Sequence, residues 1–95
     1  MEKIYLVVYD IRDPKRWRRV YRLLQGYGEW LQLSVFQCLL DRMRRVELEH
    51  ELRQRLKHDE DHLIIIELGS PQHVKPRVTS LGKTYEPVTR SPHII

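Results

Sequence analysis

Residues 4–14 read IYLVVYDIRDP, and this stretch decides the fold. The run Ile4–Tyr9 is β-branched and aromatic, with an apolar residue at every position, which predicts a buried strand. Asp10 ends the apolar run. Asp13 followed by Pro14 is a typical helix start, with aspartate as the N-cap and proline at the first helical position. The stretch therefore predicts a strand that leads through a short polar loop into a helix.

The predicted first helix continues to about Gln25 and ends near Gly26 and Gly28. Apolar side chains recur at helical spacing and define its buried face, namely Trp17, Val20, Tyr21, Leu24 and Tyr27. The following run Trp30–Leu40 is too long and too apolar for one loop. It predicts two strands, or one sharply bent strand, with the break near Ser34.

Asp41 is the expected N-cap of a second helix that runs from Arg42 to about Lys57. A polar turn follows, and Leu63–Leu68 reads LIIIEL, which predicts a strand apolar enough to be central. The element order is then β-α-β-β-α-β. This order predicts an α+β ferredoxin-like sandwich, with an antiparallel sheet and both helices on one face.

The chain has 95 residues, which is enough for one small domain. We expect that domain at residues 1–70 and a tail at 71–95, in which Thr84–Val88 is a weak candidate strand. Cys38 is the single cysteine, so an internal disulfide is excluded. The apolar stretch Leu63–Ile66 is far too short to span a membrane, and the N-terminus has no signal-peptide pattern. We therefore expect a cytoplasmic protein with no membrane partner.

Asp10 is the candidate catalytic residue, because it lies where a buried strand reaches the edge of the sheet. A carboxylate at such a place can bind a hard cation such as Mg²⁺ through oxygen. The alternative is a solvated loop aspartate that accepts local backbone N–H groups. One carboxylate per chain makes a poor Mg²⁺ site, whereas a symmetric dimer can place two copies of Asp10 near its axis.

The segment from Arg12 to Arg22 is the candidate nucleic-acid-binding surface. The formal net charge of the whole chain is +4, and six cations lie in this segment: Arg12, Lys15, Arg16, Arg18, Arg19 and Arg22. Within the segment only Asp13 can pair with these charges, which leaves many for phosphate contacts. The alternative is an ordinary solvated helix face. His58 and His62 bracket an acidic turn, and their spacing matches no established zinc pattern.

Several short motifs occur in a fixed order along residues 3–68. They are Val8-Tyr9-Asp10-Ile11, Asp13, the basic stretch Lys15–Arg19, Gly26-Tyr27-Gly28-Glu29, Gln32-Leu33-Ser34-Val35-Phe36-Gln37-Cys38, and Glu60-Asp61 before an apolar strand. In this combination the chain resembles the CRISPR-associated Cas-two family. It departs from the family pattern at Leu33, where an aromatic residue is common, and at Gln37, where an acid is common.

The resemblance implies a ferredoxin-like homodimer whose two sheets face each other, with a tail strand added to the partner. It also implies that Asp10 pairs with its twin around Mg²⁺ or Mn²⁺, with Tyr9, Arg19, Ser34 and Phe36 in or near the site. Family members are described as metal-dependent nucleases of single-stranded RNA or double-stranded DNA. The family's general role is in spacer acquisition, where the dimer bridges two dimers of the CRISPR integrase and holds the incoming DNA.

We therefore expect a CRISPR adaptation protein with slow, Mg²⁺-dependent endonuclease activity. Slow turnover is expected because no general base besides Asp10 is visible in the sequence. Two alternatives stay open at this point. The first is a non-catalytic DNA-binding adaptor of the integration complex, and the second is a toxin ribonuclease similar to virulence-associated protein D.

Overall fold

A computed structural model describes residues 1–83 of the chain. The six elements are β1 (Lys3–Asp10), α1 (Pro14–Gln25), β2 (Gly28–Gln32), β3 (Val35–Leu40), α2 (Arg42–Arg55) and β4 (His62–Gly69). The predicted β-α-β-β-α-β order is confirmed. The candidate strand Thr84–Val88 lies outside the described residues, and the division between domain and tail at residue 70 stays a prediction.

The four strands form one sheet in the order β2-β3-β1-β4, and all neighbouring strands are antiparallel. One hydrophobic core lies between this sheet and the two helices. The strands contribute Tyr5, Val7, Tyr9, Phe36, Cys38 and Leu40 to it, and the helices contribute Val20, Tyr21, Leu24, Leu48 and Leu52. Both helices therefore cover the same face of the sheet, as the ferredoxin-like prediction requires.

Both helices begin at the aspartates predicted as N-caps. The Asp13 carboxylate accepts the backbone N–H of Arg16 across 2.9 Å, and the Asp41 carboxylate accepts that of Arg44 across 2.7 Å. These bonds satisfy backbone donors that have no partner inside the helix. The second helix ends at Arg55, slightly earlier than predicted, because Leu56 has extended backbone geometry.

The predicted break near Ser34 is a tight turn at residues 33–34 between β2 and β3. The two strands then pair from Gly28 opposite Cys38 onwards. A Cβ atom at Gly28 would lie 2.3 Å from the carbonyl oxygen of Gln37 and 2.6 Å from the Cys38 sulfur. Only glycine allows the strands to approach this closely, which explains why a glycine opens β2.

The prediction that the apolar strand 63–68 is central is wrong. Within residues 1–83, β4 pairs with β1 alone and forms one edge of the sheet. Its side chains alternate, so that Leu63 and Ile65 pack against the core whereas Ile64 and Ile66 remain 42% and 40% exposed on the face without helices. The apolar run therefore reflects a second apolar sheet face. We define this outer face by Leu6, Val8, Leu39, Ile64 and Ile66.

Candidate functional site

Asp10 is the last residue of β1, and its side chain is exposed. It lies at the rim of a cleft of about 420 Å³ between the β1–α1 loop, the first turns of α1 and the β2–β3 turn. The cleft is lined by Asp10, Ile11, Arg12, Pro14, Trp17, Arg18, Leu33 and Ser34. The structure thus brings four of the predicted site residues to one place, namely Asp10, Arg12, Arg18 and Ser34.

Ser34 is fixed in this cleft by two hydrogen bonds. Its backbone carbonyl accepts the N–H of Tyr9 across 3.1 Å, and its hydroxyl oxygen accepts the indole N–H of Trp17 across 3.1 Å. Because the hydroxyl acts as the acceptor towards Trp17, its own O–H group can still donate. Ser34 can therefore offer one oriented donor to an oxygen of a bound molecule.

Tyr9 and Phe36 lie in the hydrophobic core and do not line the cleft. Tyr9 is 4% exposed, Phe36 is fully buried, and their ring centroids are 6.5 Å apart. Burial, together with the nearby Tyr21, raises the pKa of the Tyr9 phenol well above its ordinary value. Both residues therefore belong to the hydrophobic core, and neither can contact a molecule bound in the cleft directly.

The six cations of the basic segment point in three directions. Arg12 and Arg18 line the cleft, and Lys15, Arg19 and Arg22 are exposed on the outward side of α1. Arg16 faces the α2–β4 turn instead. The sequence alone points only to Asp13 as a partner for these charges, and the structure corrects this for Arg16.

The Arg16 guanidinium contacts two acids that are distant in sequence. Its Nε atom lies 2.8 Å from Asp61 Oδ2, and its Nη2 atom lies 3.0 Å from Glu60 Oε1. The hydrogen bond from Arg16 holds the pKa of Asp61 below its usual range, although burial of the carboxylate opposes this shift. The sequence signal for these contacts is the acidic run Asp59-Glu60-Asp61, which is a polar turn as predicted.

The apolar residues of the cleft are absent from the sequence-based site, and there are four of them, namely Ile11, Pro14, Trp17 and Leu33. Trp17 is expected on the buried helix face, and it does stack on Tyr21 with ring centroids 5.2 Å apart. However, Trp17 is only half-buried and also forms part of the cleft wall. Leu33 is 57% exposed at the tip of the β2–β3 turn. Only its position next to Ser34 in the chain could have suggested that it lines the cleft.

A single chain offers an incomplete donor set for a divalent metal ion. No group of three or more histidine, cysteine, aspartate or glutamate side chains within residues 1–83 is arranged to hold one. Asp10 is the one carboxylate among the residues that line the cleft. Mg²⁺ is commonly bound by one or two carboxylates together with waters. A second copy of Asp10, supplied by another chain, would therefore fit such an ion, whereas one Asp10 alone fits it poorly.

No helix within residues 1–83 combines the length and the apolar character needed to cross a membrane.

Comparisons with known proteins agree with this fold. The family model described as CRISPR associated protein Cas2 matches residues 3–75. A curated relative from Geobacter sulfurreducens, named CRISPR-associated endoribonuclease Cas2, is 48% identical over 95 residues and is covered completely, as is this chain.

Two solved structures share the fold. The crystal structure of Streptococcus pyogenes Cas2 at pH 6.5 is 33% identical, with a TM-score of 0.73 over 83% of this chain and 99% of that one. A chain from a partial Cas6-RT-Cas1–Cas2 complex is 28% identical, with a TM-score of 0.64 over 78% of this chain and 89% of that one. The family model and the 48% identical relative show that this chain belongs to the Cas2 family of CRISPR-associated proteins.

Proposed function

We propose that this protein acts in CRISPR adaptation together with the integrase Cas1, and that the Asp10 cleft is the site of a divalent-metal-dependent endonuclease. The observation that carries the proposal is the convergence of a carboxylate, two arginines and an oriented hydroxyl in one cleft. The Geobacter sulfurreducens relative is named an endoribonuclease, which supports the nuclease assignment, and the solved complex that contains Cas1 supports the partner.

A homodimer would complete the site. Side chains alternate along β1, so Asp10 projects to the same side of the sheet as Leu6 and Val8. That side is the outer face, where Ile64 and Ile66 expose apolar surface that no helix covers. Pairing of two outer faces would bury this surface and bring two copies of Asp10 towards a common axis.

The charged residues of the cleft and Ser34 each have a defined part in this proposal. Arg12 and Arg18 bind the phosphate of the nucleic acid, and the Ser34 hydroxyl donates to one of its oxygens. The two Asp10 carboxylates would hold Mg²⁺ or Mn²⁺, which, when bound, supplies charge neutralisation and a more acidic water. No other carboxylate or histidine lines the cleft formed by the described residues, so general-base assistance is weak. Slow turnover is the consequence.

The test is cleavage of labelled single-stranded RNA and duplex DNA by wild type and Asp10→Asn, in Mg²⁺, Mn²⁺ and EDTA. We expect cleavage that needs the metal and is lost in Asp10→Asn. The matched control is Asp59→Asn, which changes an exposed carboxylate outside the cleft and should cleave like wild type. Equal cleavage by wild type and Asp10→Asn would contradict the nuclease assignment.

One observation favours a second function, that of a DNA-binding adaptor without catalysis. Lys15, Arg19 and Arg22 form an exposed cationic surface on α1 that does not line the Asp10 cleft. Such a surface can bind the phosphates of a duplex independently of any chemistry at Asp10. If Asp10→Asn keeps wild-type affinity for duplex DNA and for Cas1, then the adaptor role is separate from cleavage.

A further inference from the structure

Arg16 and Asp61 form the most enclosed ion pair of the described chain. The Asp61 side chain is completely buried and the Arg16 side chain is 19% exposed. Nε of Arg16 lies 2.8 Å from one Asp61 oxygen, and Nη2 lies 3.2 Å from the other. The guanidinium thus makes a bidentate contact, in which two nitrogens bind the two carboxylate oxygens. A lysine ammonium cannot reproduce this geometry.

This pair joins α1 to the turn between α2 and β4. The Asp61 carboxylate also accepts the backbone N–H of Lys57 across 2.8 Å, and Lys57 lies just after the end of α2. Arg16 lies in the first turn of α1, and its backbone N–H is held by the N-cap carboxylate of Asp13. The next residue after Asp61 is His62, the first residue of β4. The ion pair therefore ties the first turn of α1 to the turn that connects α2 with β4.

The same pair borders the segment that carries Asp10. In the β1–β4 ladder, Asp10 lies opposite His62, immediately after Asp61. On the other side, the loop that begins at Asp10 ends at Asp13, whose carboxylate lies 3.8 Å from Nη1 of Arg16. Both ends of the loop that supplies Asp10 and Arg12 to the cleft are thus adjacent to this ion pair.

We infer that Arg16 and Asp61 are positioning residues, which fix the loop carrying Asp10 and Arg12, and that Arg16 is not a nucleic-acid contact. This inference rests on the proposed nuclease function of the cleft. It replaces the sequence-based assignment of Arg16 to the phosphate-binding set. Asp61 acts only through Arg16 and the backbone, since its own carboxylate is shielded from solvent and from any ligand in the cleft.

The two roles predict different effects of Asp61→Asn. If Arg16 contacts phosphate, removal of its acidic partner makes Arg16 more available, and nucleic acid binds more tightly. If Arg16 positions the loop, Asp61→Asn and Arg16→Lys share one phenotype. We expect both variants to lower kcat by about 10- to 100-fold, with KM little changed, because small displacements of reacting groups are costly.

Two further measurements need no cleavage. The dependence of duplex binding on salt should keep its wild-type slope in Arg16→Lys and Asp61→Asn, whereas Arg19→Ala on the exposed side of α1 should reduce the slope by about 1. The amide NMR signals of Asp10 and Arg12 in the full chain should shift in both positioning variants. Arg53→Lys, which alters an exposed ion pair with Glu49 on α2, is the matched control and should leave those signals in place.

Tighter nucleic-acid binding by Asp61→Asn, or unshifted Asp10 and Arg12 signals in both variants, would overturn the inference. If the wild type itself does not cleave, the nuclease proposal fails, and the amide signals and salt slopes still decide the role of Arg16.

Discussion

The indole N–H of Trp17 donates a hydrogen bond across 3.1 Å to the hydroxyl oxygen of Ser34. Trp17 belongs to α1 and Ser34 to the β2–β3 turn, so this bond connects two walls of the cleft. The Ser34 carbonyl also accepts the N–H of Tyr9, the residue before Asp10. Ser34 is therefore the point at which the helix, the turn and the end of β1 meet.

The Trp17–Ser34 bond predicts an energetic coupling between the two residues. Loss of such a hydrogen bond in Ser34→Ala should lower the free energy of unfolding by about 1 kcal/mol. Trp17→Phe should cost more, because it also removes ring volume. In the double variant the losses should fall short of their sum by about 0.5–1.5 kcal/mol. Urea unfolding of all four proteins measures this difference, and strict additivity would show that the bond contributes nothing.

Gly28→Ala should destabilise the fold strongly. The added Cβ would lie 2.3 Å from the backbone oxygen of Gln37, which cannot move without opening the β2–β3 ladder. We expect a loss of about 1–3 kcal/mol in the free energy of unfolding, the range typical of overpacking. Gly26→Ala is the control, because its Cβ would lie 3.4 Å from the nearest atom, at ordinary contact distance. Equal losses in the two variants would contradict the close approach.

The free energy of unfolding should decrease in acid, because protonation of Asp61 and Glu60 weakens the ion pairs of the α2–β4 turn. The pKa of Asp61 is lowered by Arg16, and that of Glu60 is lowered by Lys57 and then Arg16. A carboxylate whose pKa is lower in the folded state stabilises the fold above its unfolded pKa and loses this effect as pH falls through the folded value. Stability should therefore decrease below about pH 4.

The variant that tests this acid dependence is Asp61→Asn. Its unfolding free energy, followed in urea from pH 6 to pH 3, should change less with pH than that of wild type, since the titrating group is gone. An identical pH profile in the two proteins would show that Asp61 is not responsible.

The outer sheet face should mediate dimerisation. Ile66→Asp places a charge on exposed apolar surface of β4 that the proposed dimer would bury. Light scattering should then report the 11.6 kDa mass of one chain, in place of twice that mass for wild type. Val46→Asp changes an equally apolar side chain that is 62% exposed on α2, and it should leave the mass unchanged. A dimeric Ile66→Asp would place the interface elsewhere.

Tyr9→Phe should be tolerated, although the family resemblance associates Tyr9 with the site. The buried Tyr9 hydroxyl has no hydrogen-bond partner among the described residues. Removing an unsatisfied buried hydroxyl should leave the free energy of unfolding unchanged or raise it by up to about 1 kcal/mol. Cleavage should also persist, because Tyr9 does not line the cleft. Loss of cleavage in a stable Tyr9→Phe variant would show that the hydroxyl reaches the substrate.

The secondary structure could be predicted closely because its signals are local. Asp13 and Asp41 mark the helix starts by capping, and the apolar run from Ile4 marks β1. The place of β4 could not be predicted in this way. A run such as LIIIEL has the same pattern whether it is central in one sheet or lies at an edge with a second apolar face, and only the strand order distinguishes the two.

Asp10 could be singled out as a candidate from the sequence, because a carboxylate directly after a buried strand stands out, and the structure places it at a cleft. The sequence could not show which cations of the basic segment line the cleft and which contact acids elsewhere. Arg16 and Arg18 are two residues apart and of the same type, yet one contacts Asp61 and the other lines the cleft. Their surroundings differ because two positions along a helix point in different directions, and because Arg16 meets Asp61, which lies 45 residues further along the chain. Such long-range contacts leave no periodic signal in the sequence.

The measurement that tests the central claim most directly is Mn²⁺ binding by wild type and Asp10→Asn, followed by the loss of the free-ion signal in electron paramagnetic resonance. If two Asp10 carboxylates share one ion, wild type should bind one Mn²⁺ for every two chains, and Asp10→Asn should bind none at the same concentration. One ion per chain, or undiminished binding by Asp10→Asn, would contradict the paired-carboxylate site.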